Sequence, residues 1–346
     1  MDFTTCLQEQ LRLHPSMQPR DVVKLCFQAA RGAEHLLADT TRARTYFDQE
    51  YAATPADASL PLFEPISPDI ARVNIGAWKA VNLPADWLFR MFVHTASVPR
   101  GGTDLLEQYI AEATAVLADA AAFPIAAWQE ILATWREAGM PAVHHSETYR
   151  AGEHPAYRIV SGRFRCILPI LEQLNQSADV RVIAIDGRAA SGKTTRAALL
   201  STVLEAPVVH MDDFFLPPAL RTGERLAQPG GNVHYERFAE EVVPFLRNGE
   251  AFAYRVFDCG QMDFCGMQEI PAAPVRIVEG SYAHHPALGD YAGLRVFTTV
   301  DEEEQMTRIL HRNGERMAEM FRTRWIPMEE EYFGHFGIRE KADLCL

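Results

Sequence analysis

Two hydrophobic rhythms divide the chain. In the first 145 residues apolar positions recur at helical spacing. Val22, Val23, Cys26, Phe27, Ala30, Ala33 and Leu37 make one stripe. Pro19 opens that stripe, where a missing N–H costs nothing because the first helical turn has no acceptor for it. The same spacing predicts helices over 41–52, 84–97, 103–121 and 125–138, with Gly139 and Pro141 stopping the last. Pro61, Pro65 and Pro68 mark a loop, and 71–75 has the pattern of a short strand. The expectation is a mostly α-helical N-terminal domain over 1–145, with Trp78, Trp87, Trp128 and Trp135 in its core.

A bridging segment follows over 146–177, helical in pattern from 157 to 174 and broken or restarted at Pro169. From 178 to 346 the rhythm changes. Short β-branched runs at 180–185, 207–210, 275–278 and 294–300 alternate with helical stretches, and 343–346 reads as a last strand. Strand and helix in alternation predict an α/β domain with a mainly parallel sheet flanked by helices.

Between the first run and a helix over 196–204 lies Gly187-Arg188-Ala189-Ala190-Ser191-Gly192-Lys193-Thr194, followed by Thr195. This is the G-x-x-x-x-G-K-[ST] phosphate loop. Its glycines let successive N–H groups turn inward on phosphate oxygens. Lys193 supplies a cation for the β- and γ-phosphates, Thr194 a hydroxyl for Mg²⁺, and the helix start a positive dipole end. A chance match in a chain of this length is on the order of one in a hundred, given the usual glycine frequency. The loop therefore predicts a P-loop NTPase fold that binds ATP with Mg²⁺.

Carboxylates at strand tips narrow the chemistry. In open α/β sheets ligands sit beyond the carboxyl ends of the strands. Asp212 and Asp213 follow the second run, and a carboxylate there can take the proton of an attacking hydroxyl. Asp212 is the candidate base and Asp213 its reserve. Glu279 ends the third run in Arg276-Ile277-Val278-Glu279-Gly280, where it joins Thr194 and Asp212 as a metal candidate. Asp301 and Glu304 fit a capping box. Beyond them Arg308, Arg312 and Arg316 share a face if the helix runs on past Gly314, and such a face can stabilise a phosphoryl group in transfer.

From about residue 180 onward the chain resembles the uridine kinase branch of the uridine kinase, phosphoribulokinase and bacterial pantothenate kinase superfamily. The resemblance rests on Ile185-Asp186-Gly187, Asp212-Asp213-Phe214-Phe215, Glu279-Gly280-Ser281-Tyr282 and the arginine-bearing lid segment. It implies Asp212 as catalytic base, Glu279 as an aid to Mg²⁺, and Arg308, Arg312 and Arg316 on phosphates. Two departures bear on the acceptor. Gly231-Asn232-Val233-His234-Tyr235 stands in place of Asp-His-Pro, and Phe257-Asp258 is followed by Cys259-Gly260-Gln261-Met262-Asp263 without a histidine. A kinase of a small hydroxyl compound is implied, with a pocket unlike uridine's. Its candidates are Asp213, Phe214, Arg221, Arg225, His234, Tyr235, Arg237, Tyr254, Asp258 and Tyr282.

Composition removes some alternatives. A net charge of −13 makes nucleic acid a poor partner and disfavours phosphorylation of nucleic-acid ends. An NTP-driven switch is the rival class, although neither Asn-Lys-x-Asp nor Leu-Ser-Gly-Gly-Gln occurs. No apolar run approaches the ~20 residues of a membrane span. Six scattered cysteines, no Cys-x-x-Cys and no signal-like N-terminus lead to an expectation of reduced thiols and a cytoplasmic protein, with an oligomer compatible. Glu34-His35 and His144-His145 lack partners at metal-ligand spacing.

Overall fold

A computed structural model describes the chain except residues 34–36, 38, 120–122 and 178, so the Glu34-His35 pair lies outside the described residues. Two compact units emerge, Met1–Arg165 and Cys166–Leu346.

In the first unit the predicted helices form over Pro19–Arg31, Thr40–Ala53, Ala85–Ser97, Thr103–Asp119 and Ile125–Glu137. Trp78, Trp128 and Trp135 are buried, and Trp87 is half-buried. The short strand expected over 71–75 forms as β2 (Ile70–Asn74), the middle of a small antiparallel sheet whose other members, β1 (Phe63–Pro65) and β3 (Tyr157–Ser161), sequence periodicity missed. The helix expected from 157 to 174 is thus corrected. Residues 157–161 are extended, because β-branched Ile159 and Val160 pair with Arg72 and Ala71 of the fully buried β2. Helix resumes only at Leu168–Gln176, where Pro169 occupies the first turn.

Burying all of β2 buries the Arg72 guanidinium, which needs partners to stay there. Gln10 and Gln28 accept its N–H groups, and the guanidinium stacks over the Tyr157 ring. Around it Asp21 takes hydrogen bonds from Ser146 and faces His145, whose other nitrogen meets the Tyr157 hydroxyl. Glu64 accepts from Gln10 and Asn74 and faces His14. His145 is therefore a satisfied interior group.

The second unit carries a five-stranded parallel sheet, order β10-β9-β4-β8-β5. Its members are β4 (Val182–Gly187), β5 (Val208–His210), β8 (Arg276–Glu279), β9 (Leu294–Thr298) and β10 (Leu344–Cys345). β6 (Phe252–Asp258) and β7 (Asp263–Ile270) form a separate antiparallel ribbon. Every residue of β4 is buried, as a central parallel strand requires. The helix Lys193–Leu204 packs against β4, β5 and β8. The C-terminal residues are part of the sheet, with Leu346 N–H donating to the Phe297 carbonyl at 2.9 Å.

The helix Glu302–Met320 is broken at Gly314, whose φ of 76° is left-handed. A wide π turn, Phe321–Trp325, then leads into the helix Ile326–Phe336. Among the described residues no helix is long and apolar enough to cross a membrane.

Candidate active site

The phosphate loop leaves β4 through Gly187 at φ 136°, where any Cβ would sit 2.0 Å from the Thr298 carbonyl oxygen. Only glycine permits that approach, and it pins the loop to β9. Arg188 N–H donates to the Thr298 carbonyl at 3.1 Å, and the Ser191 and Thr298 hydroxyls meet at 2.6 Å. A second clamp comes from the helix Ile326–Phe336. Buried Glu329 accepts from Ala189 N–H at 2.9 Å and from the Ser281 hydroxyl at 2.6 Å. Burial raises the Glu329 carboxyl, while Lys193 and those hydrogen bonds oppose the rise. Gln305 donates to the Ala189 carbonyl, and Arg188 points away to Glu330 and the Val300 carbonyl. Lys193 folds over the loop, its ammonium donating to the carbonyls of Gly187 (2.6 Å) and Arg188 (2.9 Å).

Strand register assembles the acidic wall. Glu279 pairs with Ile185 of β4 on one side and with His210 of β5 on the other. The Thr194 hydroxyl donates to it at 3.1 Å, and His210 Nδ1 lies 2.6 Å from its Oε1. That bond, outweighing burial, raises the His210 pKa.

Just past β5, the short turn Met211–Phe214 separates two neighbouring acids. Asp213 accepts the Tyr254 hydroxyl at 2.8 Å and is tied into the wall. Asp212 keeps an exposed carboxylate facing the cleft. Partial desolvation by the cleft walls, then the charges of Glu279 and Asp213, raise its pKa, with Lys193 pulling the other way. Asp186, from the motif that leads into the loop, is structural. It takes N–H groups of Gly187, Tyr282 and His284 and the Tyr332 hydroxyl.

These groups border one cleft of 740 Å³. Ala189, Ala190, Gly192, Lys193, Thr194 and Thr195 form its floor, with Asp212 and Glu279 beside them. Arg308 and Arg312 reach it from the helix before Gly314. Arg308 also donates to the Ala190 carbonyl at 3.1 Å and pairs with Glu304. Arg316 does not line the cleft, because the break at Gly314 turns its face away from the row of Arg308 and Arg312. Arg324 and Trp325 enter it instead, from the π turn. Their signal in the sequence was the basic and aromatic run Arg322-Thr323-Arg324-Trp325, but a π turn defeats helical spacing.

Most acceptor candidates belong to the cleft's supporting wall rather than its lining. Phe214 is buried against Phe238 and Tyr254. Arg225 pairs with Glu236, braces the Gly231 and Val233 carbonyls and covers the Tyr235 ring, which stacks on His285. His234 caps the helix Tyr235–Glu241, and Asp258 caps the turn between β6 and β7. Buried Arg237 ties the Asp213 and Arg255 carbonyls together. His284, adjacent to His285, bonds the Ala184 carbonyl. Tyr282 and Arg221 do line the cleft. Phe215, Asn232, Cys259 and Met262 join them.

No family model matches the sequence, and no curated protein matches it. Solved structures similar to this chain include one described as a possible uridine kinase from Bacillus stearothermophilus. It is 18% identical over 53% of this chain and 97% of that one, with a TM-score of 0.40. A protein of Silicibacter sp. TM1040, described as a candidate fructose transport system kinase, is 22% identical over 53% of this chain and 98% of that one, with a TM-score of 0.42.

Proposed function

We propose that the protein is a P-loop phosphotransferase that moves the terminal phosphoryl group of ATP to a hydroxyl of a small molecule. The observation that carries this reading is the sharing of one cleft by the phosphate loop and the open carboxylate of Asp212, while its neighbour Asp213 is tied down. A hydrolytic switch needs only to orient water. A free carboxylate beside the loop suits a base that accepts the proton of an alcohol as it attacks in line.

Each side chain then has a task. Loop amides and the start of the helix at Lys193 hold the phosphate tail. The Lys193 ammonium, held over the loop by two carbonyls, is placed to turn towards the β- and γ-phosphates. Arg308, Arg312 and Arg324 face the charge that grows on the transferred group.

The donor set fits Mg²⁺, because the Thr194 hydroxyl and the Glu279 and Asp212 carboxylates are hard oxygens. Among the described residues no cluster of three His, Cys, Asp or Glu could hold a metal alone, so phosphate oxygens would complete the sphere. When bound, the ion would neutralise charge on the β- and γ-phosphates.

The test is ADP formation from MgATP by the purified protein against a panel of nucleosides, sugars, polyols and hydroxy acids, with product identified by mass spectrometry. A phosphate ester formed one for one with ADP supports the reading. Hydrolysis that no alcohol alters, and that survives Asp212→Asn, overturns it.

A further inference from the structure

We infer that the acceptor carries a carboxylate, and that Arg221 is the residue that receives it; this rests on the phosphotransferase reading above. Most arginines near the cleft are spoken for. Arg188 pairs with Glu330, Arg225 with Glu236, Arg237 with Glu241 and Arg308 with Glu304. Arg221 lines the cleft and forms no ion pair with a carboxylate within 4.0 Å among the described residues. Its Nε–H donates to the Leu216 carbonyl at 2.7 Å. That bond fixes the plane of the guanidinium, and the Cys259 thiol is a second partner of the side chain; the N–H groups left over form the edge that can grip a ligand. A planar pair of donors matches the two oxygens of a carboxylate.

Its neighbours place this cation at the acceptor end. Cys259, from the turn between β6 and β7, lies within electrostatic reach of both Arg221 and Asp212. Phe215, Met262 and Leu226 line the same cleft as Arg221. Asn232 also lines the cleft; its amide meets the Tyr282 hydroxyl, while its side-chain oxygen is buried without a hydrogen-bond partner. A buried acceptor atom left unpaired costs free energy unless a ligand supplies a donor. A hydroxyl on the substrate would do so. Arg324, Arg308 and Arg312 belong to the lid segment, which leaves Arg221 as the one cation of the acceptor end among the described lining residues. A single guanidinium balances one negative charge, which favours a carboxylate over a phosphate monoester. The class is therefore a hydroxycarboxylic acid whose hydroxyl reaches Asp212 while its carboxylate meets Arg221.

Two measurements test this separately from the kinase reading. In the first, exposed Cys259 reports occupancy without any turnover. The full-length protein is alkylated with iodoacetamide and modification at Cys259 is followed by peptide mass spectrometry. Probes are glycerate, 4-hydroxybutyrate and gluconate, their amides, and glycerol 3-phosphate. The carboxylates should slow alkylation at least threefold and the amides should not, and Arg221→Gln should abolish the protection while leaving nucleotide affinity within twofold. Equal protection by acids and amides, none by any acid, or strongest protection by the phosphate ester overturns the inference. In the second, the same compounds are offered with MgATP. If acids protect Cys259 and no phosphate ester forms, the phosphotransferase reading fails while the carboxylate site stands. If only neutral alcohols are phosphorylated, the site assignment fails and the reading survives.

Discussion

The Thr194 hydroxyl donates to the Glu279 carboxylate at 3.1 Å, across the gap between the phosphate loop and β8. Two oxygens proposed above as metal ligands are thus already side by side. Glu279→Gln keeps the shape and removes the charge. The expected outcome is a rise of at least tenfold in the Mg²⁺ concentration needed for half-maximal rate, with the affinity for metal-free ATP unchanged. Magnesium titrations of the two proteins check it, and superimposable curves would remove Glu279 from the metal site.

Under the phosphotransferase reading, Lys193→Ala removes the cation assigned to the β- and γ-phosphates, so turnover should fall by at least about 10². Steady-state rates at saturating ATP decide the matter. A loss confined to KM would mean that the lysine only binds ground-state nucleotide.

Asp212 gives the pH dependence a definite sign. Its carboxyl titrates above the ordinary aspartate value of 3.8, and a base works only when ionised. Transfer should therefore fall as the pH drops through that raised value, and Asp212→Asn should abolish transfer while ATP binding persists. Because the folded protein disfavours this charge at neutral pH, the same variant should melt at an equal or higher temperature than the wild type. Wild-type-like transfer by the variant would refute the assignment of the base.

The break at Gly314 separates arginines that a continuous helix would align. Arg324→Ala should lower kcat at least tenfold, and Arg316→Ala should leave both kcat and KM within twofold. Equal losses in the two variants would mean that the helix straightens over bound nucleotide.

In the first unit, burial pushes the His145 imidazole down to about 4, with Asp21 pulling the other way. Unfolded, the ring titrates near 6.5. Between those values the unfolded chain binds a proton that the folded one refuses. Stability should fall with acid there by up to about 1.4 kcal/mol per pH unit, and the contribution should be complete above 6.5. His14, raised by Glu64 and Glu153 against burial, acts in the opposite sense: its stabilisation is present below 6.5 and fades as pH climbs through its own pKa. Comparison with His145→Asn cancels the His14 part. Urea melts from pH 4 to 8 should show the two proteins converging towards acid, whereas a constant gap would exclude His145 as the source.

Local chemistry decided which of these features could be read in advance. The phosphate loop was legible because its motif needs fixed residue types at fixed spacing, and β4 was legible because its stretch 182–185 is apolar throughout. β3 was hidden: Tyr157–Ser161 becomes a strand only through its pairing with β2, where Ser161 meets Ile70 across 91 residues of sequence, a contact that periodicity does not contain. Asp213, Tyr254 and Arg237 were placed at the acceptor because polar residues near a motif invite that reading. Their hydrogen bonds to one another and to backbone, which sequence does not display, turn them inward. Arg324 escaped notice for the converse reason, since a π turn obeys no familiar period.

Glu329 joins the loop amide of Ala189 to the Ser281 hydroxyl from a helix that also follows the Gly314 break. The loop proposed to seat the phosphate tail is thereby held in shape by the fold itself. Under the phosphotransferase reading, little ordering of that seat is left to be done when a nucleotide is captured.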